Sequence, residues 1–230
     1  MTRRPRLADA GAKIEPMQAT PISRAALVER LVELIDQSTG DWVRVALDGA
    51  PPTDPVGIAG ELVGPLNVRG RAAQVIRTND FWQPASLRLE FGRTNPDSFY
   101  DNWIDVSALQ REVLAPTGPG GTGRILPSRW NAATERATRA DYVDLARGGV
   151  VLLCGQFLLG GPLTVDLSVH LAMSVTALRR HTEAEAQWTV PAYERYYEEV
   201  APQDWADVVV RMDDPRRPAL ARPHSGRSSS

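Results

Sequence analysis

A single cysteine, Cys154, is present in 230 residues. An internal disulfide framework is thereby excluded, and a reducing interior is the expected setting. No apolar run approaches the roughly 18 residues of a membrane helix, so no membrane span is expected. Charge of one sign is lacking too. The 26 basic and 28 acidic side chains leave a net charge of −2, with no general attraction to nucleic acid or anionic lipid. The histidines His170, His181 and His224 show no metal-ligand spacing, and no metal site is expected. The basic start Met1-Thr2-Arg3-Arg4-Pro5-Arg6 has no apolar stretch after it, which argues against a secretory signal and makes the cytoplasm the expected location. What is there is 43% hydrophobic residues, enough for the core of one domain.

Residues 1–20 and 215–230 lack periodicity and read as disordered tails around a domain over 21–214. Inside it, short apolar strands alternate with helices. Ser23 opens a helix with Ala26, Leu27, Leu31, Leu34 and Ile35 at helical spacing, ending before Gly40. A strand follows over 43–47, then a helix over 57–68 and a strand over 73–78. A short helix is expected over 105–113, a glycine- and proline-rich loop over 116–123 and an irregular hairpin within 124–141. Gly149-Val150-Val151-Leu152-Leu153-Cys154 is a continuous apolar run, the mark of a strand buried on both faces. Another strand over 165–171, helices over 174–185 and 191–200, and a last strand over 207–210 complete the domain. The alternation predicts an α/β fold with a mainly parallel central sheet. Ligands on such sheets sit at the carboxyl ends of the strands, where Asp48, Asn79 and Cys154 fall.

After the first of these strands the chain reads Gly49-Ala50-Pro51-Pro52-Thr53-Asp54-Pro55-Val56. A phosphate-binding loop, G-x-x-x-x-G-K-[ST], would sit at this place between strand and helix. Gly49 fits the first glycine, but Asp54, Pro55 and Val56 stand at the second glycine, the lysine and the hydroxyl residue. Such a loop works because backbone N–H groups converge on phosphate oxygens, the lysine adds positive charge and the hydroxyl holds Mg²⁺. Pro51, Pro52 and Pro55 have no N–H to offer. Asp54 brings a carboxylate instead, and Val56 cannot bind a metal. The plainer reading is a proline-stiffened turn between strand and helix.

Five blocks in order carry a resemblance. They are Arg44-Val45-Ala46-Leu47-Asp48-Gly49; Asn79-Asp80-Phe81-Trp82; Gly92-Arg93-Thr94-Asn95-Pro96-Asp97-Ser98-Phe99-Tyr100-Asp101-Asn102-Trp103-Ile104-Asp105; Val151-Leu152-Leu153-Cys154-Gly155-Gln156-Phe157-Leu158-Leu159; and Ala206-Asp207-Val208-Val209-Val210. Over roughly 43–214 the chain resembles the uridine kinase family of P-loop nucleoside kinases in its short bacterial form. The resemblance implies a P-loop kinase-like three-layer α/β fold, and it assigns places to several residues. Asn79 stands where the family has its catalytic aspartate, with Asp80 as the neighbouring carboxylate. Cys154 stands at the acidic Walker-B-like position, and a neutral thiol is a poor magnesium ligand. Arg93, Asp97, Phe99, Tyr100 and Asp101 fall on the nucleoside side. Arg179 and Arg180 fall in the lid, which then turns acidic and is short.

Phosphoryl transfer rests on positioning and charge neutralisation by loop, lysine and metal. Changes at Pro55, Asn79 and Cys154 therefore point to a nucleoside kinase-like protein that is catalytically impaired and acts by binding a nucleoside or nucleotide, a protein partner or a second copy of itself. No cofactor is expected on that reading. The alternative is an active ATP-dependent uridine kinase with Mg·ATP held by other groups, among them Asp48, Asp80 and Arg179. His170, in a strand, reads as a satisfied sheet residue.

Overall fold

The structure, a computed structural model, describes residues 19–221. Seven strands make the central sheet: β1 (Ala19–Pro21), β2 (Val43–Gly49), β3 (Ala73–Arg77), β4 (Val150–Gly155), β5 (Leu167–Ala172), β6 (Val208–Arg211) and β7 (Ala219–Ala221). Their order is β1-β7-β6-β5-β2-β4-β3, with the five strands from β6 to β3 parallel and β7 antiparallel to both its neighbours. All of β2 and all of β4 are buried, as expected of central strands covered on both faces.

Five helices frame the carboxyl-end cleft or support it: α1 (Arg24–Gln37), α2 (Pro55–Val68), α3 (Pro96–Asn102), α4 (Val175–His181) and α5 (Val190–Glu199). Strand alternation sends Val43, Val45 and Leu47 to one face of the sheet, against Leu27, Leu31 and Ile35 of α1 and Ile58, Leu62 and Leu66 of α2. Ala46, Ile76, Val151 and Leu153 pack on the other face, against Leu109, Val113, Leu114 and Ile125. Each fully buried Leu or Ile stabilises by about 1.5–3 kcal/mol, so these two layers hold the sheet rigid beneath its carboxyl-end loops.

Ser23 does open α1, its Oγ accepting from the Ala26 N–H at 3.2 Å. The structure differs from the sequence reading in three places. The ordered domain reaches further than 21–214, because Ala19–Pro21 and Ala219–Ala221 are short strands paired in register at one side of the sheet, Thr20 with Leu220 and Val210 with Leu220. Three-residue strands carry no visible periodicity and are ordered only by pairing. The expected helix over 105–113 is one turn, Val106–Leu109, that widens into a π-helical segment Gln110–Leu114. The expected helix over 174–185 stops at His181, and a 3₁₀ segment Ala184–Thr189 follows. The Gln187 amide stabilises this break by donating to the carbonyls of Arg179 at 2.8 Å and Thr182 at 2.6 Å. The rest of the expected tails, 1–18 and 222–230, lies outside the described residues.

Candidate functional site

β2 lies between β4 and β5, so the chain leaves it in one direction for β3 and later crosses back over it to β5. Such a reversal opens a crevice at the carboxyl ends. Here it holds two adjoining cavities. The polar one, about 430 Å³, is lined by the loop residues Gly49, Pro51, Asp54, Pro55 and Val56, by Arg77, Asn79 and Asp80, and by Cys154, Gly155 and Gln156. The aromatic one, about 500 Å³, shares Pro51, Asn79, Trp82 and Gln156 with it and continues over Phe99, Trp103, Trp188 and Tyr193. The loop, the segment after β3 and the end of β4, far apart in sequence, thus meet at one place.

The loop turns through a 3₁₀ segment, Pro51–Thr53, whose Thr53 is buried and donates its hydroxyl to the Ala50 carbonyl at 2.7 Å. Asp54 then takes a left-handed conformation, φ 56° and ψ 53°, and caps α2. Its Oδ1 accepts from the Gly57 N–H at 3.0 Å, and its Oδ2 meets the Arg24 guanidinium at 2.7 Å. Arg24 is held from the other side by Glu61 at 2.7 Å. Gly57 lets the carboxylate sit this close, since a Cβ would lie 2.1 Å from it and turn it aside. The first turn of α2 therefore already carries an anion, and that anion is part of the chain. Its neighbour Pro55 is the first helical residue and contributes no N–H.

Asn79 is exposed on a 3₁₀ turn, Thr78–Phe81, and lines both cavities. Asp80 forms two hydrogen bonds to Arg77, at 2.8 and 3.0 Å, and so spends its oxygens on an arginine within the same cavity. Gly155 ends β4 at φ 150°, where a Cβ would come within 2.0 Å of the Thr78 hydroxyl, so the turn after β3 presses directly on β4.

Cys154 is buried, its thiol donating weakly to the Ile76 carbonyl at 3.5 Å. Burial pushes the thiol pKa up to about 12 from 9.0, only partly opposed by Arg77. A thiol this protonated is unreactive at neutral pH. Thiol-specific dyes at pH 8 are expected to label it at most slowly in the native protein and fully in denaturant; equal rates in both would contradict this packing. Stability inherits the same shift. Above pH 9 the unfolded thiol loses its proton while the folded one keeps it, and burial holds the Tyr193, Tyr196 and Tyr197 phenols above their usual value of 10.0 in the same way. These four groups leave stability unchanged at neutral pH and are expected to lower it from pH 9 to 12, whereas the lowered carboxyl pKa values of Glu112 and Asp213 cost stability only in acid. Denaturant midpoints taken across that range check it.

Asp48 is fully buried and faces neither cavity. Its Oδ1 accepts from the Leu158 N–H at 2.9 Å, and its Oδ2 meets His170 Nδ1 at 2.7 Å and the Tyr196 hydroxyl at 3.1 Å. Tyr196 accepts in turn from the Leu159 N–H at 3.1 Å. Asp48 and His170 are register partners on β2 and β5, which is why their side chains touch. The network also fixes Phe157, left-handed at φ 59°, a strain tolerated only where neighbours over-determine it.

The nucleoside-side residues separate. Phe99 is in the aromatic wall, whereas Asp97 and Asp101 both reach Arg195 of α5, at 3.3 and 2.8 Å, and Tyr100 lies under the same guanidinium. Arg93 is exposed and outside both cavities. In the lid, Arg179 pairs with Glu194, and Arg180 donates to the Asp213 carbonyl at 3.1 Å. No group of three or more metal-ligating side chains is assembled among the described residues.

Sequence reasoning missed four things: the Asp48 network, Arg195 as a hub, Trp188 and Tyr193 in the cavity wall, and the lysine count. Lys13 is the single lysine of the sequence, so all the other basic residues are arginine and no described residue is a lysine. That count was available from composition alone.

Sheet order and loop position place the chain in the class of P-loop kinase-like α/β folds. No protein-family model and no curated protein matches the sequence. Solved structures do. One is a possible uridine kinase from Bacillus stearothermophilus, 19% identical, with a TM-score of 0.64 over 79% of this chain and 96% of that one. A second is a candidate fructose transport system kinase from Silicibacter sp. TM1040, 21% identical, with a TM-score of 0.58 over 76% and 95%. A third, the YGR205w protein, is 10% identical with a TM-score of 0.53 over 85% and 98%. At such identities the likeness establishes the fold, and function has to be argued from the site. No helix among the described residues is long and apolar enough to cross a membrane.

Proposed function

We propose that this chain is a nucleoside kinase-like protein that does not transfer phosphate and instead binds a nucleoside-sized ligand in its carboxyl-end cleft. The observation that carries the reading is the Asp54 carboxylate seated on the Gly57 N–H and locked there by Arg24. It occupies the helix end where a phosphate group would be received, and it repels one. The absence of lysine among the described residues removes the usual partner of the outer phosphates. The groups an active but divergent kinase would draw on are also engaged: Asp48 with His170, Asp80 with Arg77, Arg179 with Glu194. On the ligand side, Trp82 lines both cavities and joins Phe99, Trp103, Trp188 and Tyr193 in an aromatic wall of the size a nucleoside base needs.

Thermal shift tests this directly. Uridine or cytidine at about 100 times Kd stabilises by about 2.7 kcal/mol, which for a domain of this size is a rise of about 5–10 °C. Mg·ATP is expected to give none. A rise with Mg·ATP would establish the active-kinase alternative, and no rise with any nucleoside would sink the ligand-binding reading in favour of a structural or partner-binding domain.

A further inference from the structure

The aromatic cavity differs from its polar neighbour in charge. Its rings are tilted against one another, Trp82 to Trp103 by 75°, Phe99 to Trp103 by 87° and Trp103 to Trp188 by 52°, so they enclose a space instead of stacking shut. Two of them already hold a cation. The Arg88 guanidinium lies 5.2 Å from the Trp82 centroid and 4.8 Å from that of Trp103. Arg88 is not part of the cavity wall, and Glu135 and the Gln83 carbonyl satisfy it.

No arginine or lysine lines this cavity. Its ionisable groups near the rim are His181, Glu183 and Glu185. His181 directs Nε2 to the Asp213 carbonyl at 3.2 Å. Glu183 and Glu185 are exposed, and among the described residues neither carboxylate has an ion-pair or hydrogen-bond partner. In the polar cavity, by contrast, Asp54 and Asp80 are each neutralised by an arginine. The break after α4 is what brings both glutamates and Trp188 to this wall.

We propose that this cavity takes an aromatic organic cation, a flat ring bearing an ammonium or N-alkylated centre and no phosphate. The ring packs among the tryptophans, and the positive charge is shared between ring faces and the two unpaired glutamates. A phosphate or carboxylate on the ligand would face the two glutamates with no arginine or lysine in the wall to offset them. The proposal rests on reading the cleft as a ligand site, and it names the ligand's charge.

The full chain is titrated by tryptophan fluorescence and calorimetry with benzyltrimethylammonium, benzyl alcohol and phenylacetate. The cation is expected to bind about tenfold or more tightly than the alcohol, with phenylacetate weakest. Glu183→Gln/Glu185→Gln, on an exposed rim, should remove most of the cation's advantage and leave the alcohol unchanged, and added salt should narrow the gap in the wild type. Trp188→Leu should weaken all three. Equal affinity for cation and alcohol in the wild type, or a cation preference undiminished by the double substitution, overturns the proposal. Failure here is separable from failure of the functional reading: uridine stabilisation without cation preference removes only the ligand charge, and Mg·ATP binding removes only the inactive phosphate site.

Discussion

Asp48→Ala is expected to lower the thermal midpoint by about 10 °C, the largest loss of any single polar substitution at the site. The reason is the number of groups left behind. Asp48 serves the Leu158 N–H, the Tyr196 hydroxyl and His170 Nδ1, all in a region where both Asp48 and His170 are almost wholly excluded from water. Each buried donor left unsatisfied costs about 1–3 kcal/mol, and removing one member of a buried pair costs about 3–5 kcal/mol. Asp48→Asn should lose less, since its amide oxygen still serves Leu158. His170→Ala alone should also be costly, yet adding it to Asp48→Ala should cost much less than the sum, because contacting residues couple by about 0.5–3 kcal/mol. A midpoint drop of only a degree or two would show that the network is not a structural tie. Because Asp48 immediately precedes Gly49, and Leu158 comes just after the end of β4, the same substitution should loosen the floor of the polar cavity as well as the fold.

That network also marks the limit of what could be read from sequence. Asp48 and His170 are 122 positions apart, and only the parallel register of β2 with β5 makes them neighbours. The strands themselves were legible, since apolar runs such as Val150-Val151-Leu152-Leu153 leave few alternatives; of the three residues that the carboxyl-end rule singled out, Asn79 and Cys154 line one cavity, whereas Asp48 is fully buried beneath it. The nucleoside-side block was less transparent. Its carboxylates at 97 and 101 sit one helical turn apart and can reach the same arginine, but which arginine depends on how α5 packs against α3. The end of α4 was hidden for a similar reason, since the Gln187 amide that caps it comes from outside the helix. Strands of three residues show no period at all.

Asp54→Gly/Pro55→Lys is expected to raise Mg·ATP affinity about 100-fold or more over a wild type that gives no measurable heat. Glycine is nearly as good a cap as Asp, within a few tenths of a kcal/mol, and it relieves the left-handed strain at position 54, about 1–2 kcal/mol. The exposed Arg24–Asp54 pair is worth at most about 1 kcal/mol, so the variant should fold with a midpoint within a few degrees of wild type. What changes is the helix end. The Gly57 N–H loses its internal acceptor, Arg24 is released beside it, and the introduced lysine adds a charge where none of the described residues supplies one of that kind. One charge-assisted hydrogen bond contributes about 1.5–3 kcal/mol, and each 1.4 kcal/mol is about tenfold in affinity, so two such contacts account for the expected gain. Micromolar binding by the wild type would mean that Asp54 does not fill the phosphate position. No gain in the variant would mean that the loop, despite its place between β2 and α2, lacks the backbone geometry of a phosphate site. Binding gained without phosphorylation of uridine would separate the two losses: phosphate recognition restored at the loop, with chemistry still absent because Asn79 has no base to offer and Cys154 no oxygen for a metal.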